Sequence, residues 1–132
     1  MRIVAALVMI LIHGSEAMAC ERPDLTAKEH EFTGRLVALS GLSPPDDGSV
    51  ADADKLGRRW YVKLERPICD VRDKPQYLIE LNLTPDDFAR YRQLLDAEVQ
   101  VAGRLGEWLS PIYDVPFTMI VHRLAGANVN QL

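Results

Sequence analysis

Nowhere does this chain of 132 residues hold the roughly 20 consecutive apolar residues that a membrane-spanning helix requires. Its longest apolar run, Ile3 to Ile12, is ten residues, so no transmembrane segment is expected. Positive charge is not in excess either: 15 Lys and Arg stand against 19 Asp and Glu, a net −4, which is the reverse of a nucleic-acid binder's basic footprint. Aromatic residues make up 7%, too few for a row of base-stacking platforms. Catalytic side chains are scarce. His13, His30 and His122 each stand alone in the sequence, so neither a nucleophile–base pair nor a metal-ligand spacing can be composed around them. There is no G-x-S-x-G elbow, and Gly103-Arg104-Leu105-Gly106 lacks the lysine and following helix of a phosphate loop. No catalytic residue, cofactor or metal site is therefore assigned, and an enzyme is not expected.

What is present begins with an address. Arg2 gives a short positive start, Ile3 to Ile12 an apolar stretch, and Ala17-Met18-Ala19 a small-x-small cleavage pattern, so residues 1–19 read as a secretory signal peptide. Removing them takes away Arg2 and Glu16, one charge of each sign, and the exported chain stays mildly acidic. The 113 residues that remain suit one domain. Export to an oxidising compartment, periplasmic or extracellular, makes the two cysteines, Cys20 and Cys69, an expected disulfide. Two free thiols or a metal pair fit less well, since neither a CxxC spacing nor a nearby histidine accompanies them. A lipid-modified Cys20 is the competing use of that residue; Ala17 stands where lipoprotein leaders carry leucine, which disfavours it.

From Cys20 to His30 the chain is polar and without periodicity, a lead-in to the domain proper. Glu31 to Leu39 reads as a strand of mixed faces, with Phe32, Gly34, Leu36 and Ala38 on one parity and Thr33, Arg35, Val37 and Leu39 on the other, and Gly34 predicts a bulge or bend. Ser40 to Gly57 is a long Ser/Pro/Gly/Asp loop; Asp46, Asp47, Asp52 and Asp54 do not follow the ligand order of a calcium loop, so solvated carboxylates are expected. Arg59 to Glu65 then alternates cleanly, Trp60, Val62 and Leu64 inward and Arg59, Tyr61, Lys63 and Glu65 outward, and Pro67 should end its pairing. Gln76 to Leu83 is a third strand expected to bury Tyr77, Ile79, Leu81 and Leu83. Thr84 opens a helix, with Pro85 at its first position and Asp86 and Asp87 in its first turn. The helix body runs from Pro85 to Ala97 and carries an apolar stripe of Phe88, Tyr91, Leu94 and Leu95. Glu98 to Leu105 and Pro116 to Leu124 complete five strands, separated by a loop from Gly106 to Val115.

Three strands, one helix and two strands is the order of a mainly β, five-stranded OB-fold-like barrel with one helix between strands three and four; a generic α+β sandwich of the same elements is the structural alternative. The organisation expected is a leader over 1–19, a lead-in over 20–30, the barrel over 31–124 and a flexible tail over 125–132. Ala19-Cys20, Gly34-Arg35-Leu36, the segment Leu64 to Cys69 and the strand Val99 to Leu105 together resemble the domain of unknown function (DUF) 4431 family of small exported bacterial proteins. Members of that family carry consecutive histidines before the last strand, where this chain has Ile112, Tyr113 and Asp114. The resemblance implies a small exported domain and no activity.

OB-folds bind on strands two and three and the loops beside them, where Arg59, Tyr61 and Lys63 would form a basic, aromatic patch. The expectation is an exported, non-catalytic binding or interaction module for a protein or small ligand of the cell envelope. Nucleic-acid or oligosaccharide binding is the alternative, the first disfavoured by the acidic balance, and a structural domain of an envelope complex is the third reading.

Overall fold

The computed structural model describes residues 19–40, 54, 56–109 and 115–127. Residues 1–18 of the leader, the acidic residues Asp46, Asp47 and Asp52, Ile112 to Asp114 and the end of the tail lie outside them. Five strands and one helix follow in chain order: β1 (His30–Leu39), β2 (Arg59–Cys69), β3 (Pro75–Asn82), α1 (Pro85–Tyr91), β4 (Glu98–Glu107) and β5 (Phe117–Gly126). The strands close in the order β1-β2-β3-β5-β4, with β4 pairing back to β1. All pairs are antiparallel except β3 with β5, a short parallel join from Glu80–Thr118 to Asn82–Ile120. This is the OB-fold-like barrel that the element order predicts. No helix among the described residues is long and apolar enough to cross a membrane.

Period-two alternation puts one side of every strand inside. Leu36, Trp60, Val62, Ile79, Leu81, Val99, Val101, Phe117 and Met119 are each at most 1% exposed and meet along the barrel axis. Phe88 of α1 closes one end, its ring set edge-on to Trp60 at 5.1 Å between centroids. Thr84 fixes where that helix begins through a capping box: the Asp87 N–H donates to the Thr84 hydroxyl and the Thr84 N–H donates to the Asp87 carboxylate.

Several local expectations change. Gly34 makes no bulge, because it pairs in register with Leu64 on one side and Val99 on the other. Its need for glycine is steric: a Cβ there would run into the Lys63 carbonyl and the Val62 side chain, where β1 turns to belong to both halves of the barrel. The bulge lies in β5 instead. Ala102 faces Arg123 while Gly103 faces Val121, which leaves His122 as the extra residue. Pro67 does not end β2. The ladder to β3 breaks between Lys63 and Ile68, accommodating the missing N–H, and resumes at Ile68–Gln76 and Cys69–Pro75. Tyr77 has inward parity but sits 42% exposed near the start of β3, beyond the filled core.

The helix is also shorter than its apolar stripe. After Tyr91 it tightens into a 3₁₀ turn, Arg92–Leu94, and Asp96 takes φ 68°, a conformation that aspartate tolerates better than most side chains. The cause is tertiary: the Asp96 N–H donates to the Leu36 carbonyl and the Leu36 N–H donates to the Ala97 carbonyl, so β1 captures the chain before another helical turn can form. At the far end, β5 continues to Gly126, which pairs with Val99.

The lead-in is stapled to the end of β2. Cys20 and Cys69 form a disulfide with Cα atoms 5.2 Å apart, Glu21 bridges to Ile68 in parallel, and the Cys69 N–H donates to the Glu21 carbonyl. A sulfur committed to a disulfide cannot carry a lipid thioether, so the bonded form excludes the lipidated one. Such a bond is compatible with an extracellular location.

Candidate functional site

The three residues predicted to form a recognition patch are not equivalent in the barrel. Arg59 is ion-paired at 2.9 Å with Glu80 of β3, both side chains mostly covered. Tyr61 is 1% exposed. Outward parity on β2 therefore does not make it a surface residue: its row runs from half-buried Val37 to buried Glu80. Lys63 alone of the three is exposed, between Arg35 of β1 and Leu78 of β3. The basic, aromatic patch is thus reduced to one lysine, and Glu80, the buried carboxylate that neutralises Arg59, had no signal in the sequence.

A different site is built where the chain enters β2 and α1 covers the barrel end. A recess of about 440 Å³ is lined by Asp54, Leu56, Arg58, Trp60, Pro85, Phe88, Ala89, Arg92 and Leu95. Trp60 and Phe88 form its floor and contribute little open surface, 1% and 5%. Leu56, Pro85, Ala89 and Arg92 form its exposed rim.

One carboxylate holds the β2 side of the recess together. Oδ1 of Asp54 accepts the backbone N–H groups of Leu56 and Arg58, both at 2.9 Å. Oδ2 accepts the Trp60 indole N–H at 2.9 Å and the Arg58 Nε at 3.0 Å, with Arg58 Nη2 also at 3.0 Å. Burial acts against the charge of Asp54, but the N–H groups of Trp60, Arg58 and Leu56 outweigh it and hold the carboxyl below its ordinary value. Asp54, read from the sequence as a solvated loop acid, is instead committed to its own chain. The backbone bonds Asp54 N–H to Arg58 carbonyl and Gly57 N–H to Asp54 carbonyl close the same turn, with Gly57 at φ 76°. Asp54, Arg58 and Trp60 lie close together in the sequence.

The remaining ionic groups serve the frame. Asp70 is fully buried and accepts from the Arg72 and Lys74 N–H groups, the Arg72 guanidinium and the Gln76 amide. Burial raises its carboxyl, and those donors, Arg72 first, bring it well below the carboxylate range. Glu107, at the end of β4, accepts the Val71 N–H and pairs with Arg22 at 3.5 Å, joining the β2–β3 turn to the lead-in. His122, the bulged residue, meets Glu29 at 3.0 Å beside Arg123 on the surface. His30 stacks on Phe32 with centroids 6.1 Å apart. Among the described residues, no three His, Cys, Asp or Glu side chains converge as metal ligands would.

Comparison with family models, with characterised proteins and with solved structures finds no match to this chain.

Proposed function

We propose that the chain is an exported, non-catalytic binding module, working in the periplasm or outside the cell, and a relative of the DUF4431 proteins it resembles. Its site is the recess beside α1. The observation that carries this reading is a cavity of about 440 Å³, within the range of small-molecule pockets, whose wall is set in advance by the Asp54–Arg58–Trp60 hydrogen bonds. A wall already fixed before binding loses little entropy when a ligand arrives. The face of β2 and β3 supports oligonucleotide binding poorly, since Tyr61 is covered and cannot stack on a base.

The test uses the two tryptophans. Trp108 is 66% exposed and outside the recess, whereas Trp60 is in its floor, so Trp108→Phe leaves one reporter. Titration with an uncharged solvatochromic dye such as Nile red should give saturable dye emission with energy transfer from Trp60. Ala89→Phe, which fills the recess from its rim, should remove it. Saturation that survives Ala89→Phe, or no saturation in either protein, would overturn the recess as a binding site.

A further inference from the structure

Among the described residues that line the recess, the charge left over once the internal pair is accounted for is positive. Arg58 is neutralised by Asp54, which has no acceptor capacity left towards the opening: both of its oxygens are engaged by Leu56, Arg58 and Trp60. Arg92 is exposed on the rim and makes no ion pair among the described residues. Among the described residues the lining carries two guanidinium groups against one carboxylate, an excess of one positive charge on a chain whose net charge is −4. Around it the walls are apolar: Leu56, Trp60, Pro85, Phe88, Ala89 and Leu95.

From this complementarity we infer that the ligand is an amphiphilic anion, a monocarboxylate with a medium-length alkyl or aryl body. The body lies on Trp60, Phe88 and Leu95, and the carboxylate meets Arg92 at the rim. A guanidinium at the edge of an apolar recess selects this class for two reasons. Its planar fork donates to both oxygens of a carboxylate, and its position at the rim lets the anion keep part of its hydration while the hydrocarbon leaves water. A cationic ligand would meet the positive charge of Arg92, and a strongly polar ligand would find the Trp60 N–H already donated to Asp54.

This inference rests on the recess being the binding site and is tested so that the two can fail separately. In the Trp108→Phe protein, purified with its disulfide formed, Trp60 emission is followed on adding sodium octanoate or 1-octanol at low salt. Octanoate should bind about three- to fivefold more tightly than octanol, the size expected of a partly exposed ion pair, and added salt should shrink the difference. Arg92→Gln should abolish the difference between the two ligands. Equal affinity in the unsubstituted recess, a preference that persists in Arg92→Gln, or no response to octanoate would each overturn the anion assignment. A protein that fails with octanoate yet still takes up Nile red in an Ala89-dependent manner retains its recess as a site and loses only this ligand class.

Discussion

Removing the disulfide isolates what the staple between the lead-in and β2 contributes. Cys20 and Cys69 are 49 positions apart, and the loop they close contains β1, most of β2 and the long connection between them. Cross-linking a loop of that length removes denatured-state entropy equivalent to about 4 kcal/mol at room temperature. In the Cys20→Ala/Cys69→Ala protein the native barrel should persist, because β1 and β2 remain paired from Gly34–Leu64 to Leu39–Arg59 and the Cys69 N–H still reaches the Glu21 carbonyl. The loss should therefore fall chiefly on the unfolded side of the equilibrium. Urea unfolding followed by far-ultraviolet circular dichroism should show the midpoint falling by about 2 M for a slope near 2 kcal/mol/M. The slope itself should rise, since the uncrosslinked denatured chain exposes more surface. A loss below about 1 kcal/mol with an unchanged slope would refute the loop-closure account. It would mean that the bond merely holds down the lead-in.

Two further outcomes follow from named contacts. Gly34→Ala places a methyl group against the Lys63 carbonyl and Val62; strand backbone on both sides cannot yield, so thermal unfolding should show a loss of about 1–3 kcal/mol. Asp70→Asn removes the charge that three residues' donors converge upon and should cost about 1–3 kcal/mol at neutral pH. Because the folded Asp70 carboxyl lies below its unfolded value of about 4, its stabilisation is present above that pH and is lost as pH falls further towards the folded value. The stability difference between the two proteins should accordingly narrow below about pH 4, as measured by urea midpoints at several pH values; a difference constant down to pH 2.5 would show that Asp70 is not the group responsible.

The elements themselves were legible from local chemistry. Alternation in Arg59 to Glu65 and in Glu98 to Leu105 marks strands because a half-buried pleat has period two. Thr84-Pro85-Asp86-Asp87 marks a helix start because those groups meet unpaired N–H groups. The expectation of export, with only two cysteines in the chain, was enough to pair Cys20 with Cys69. Parity, however, reports which side of a strand a residue is on and not whether that side is covered. Tyr61 and Tyr77 were each misplaced for this reason, one buried on the outer side and the other exposed on the inner.

Sequence alone thus determined the strand and helix count, core residues of the second strand such as Trp60, Val62 and Leu64, the helix cap and the disulfide, since each depends on neighbours within a few positions or on a forced pairing. Tertiary structure decided the rest. The closure of β4 onto β1, the capture of Asp96 by Leu36 that shortens the helix, and the burial of Glu80 against Arg59 all join residues far apart in the chain. So does the recess, whose β2 wall and helix wall come together at one end of the barrel. No local pattern encodes such meetings, because their energy comes from contacts that exist only after the barrel has closed.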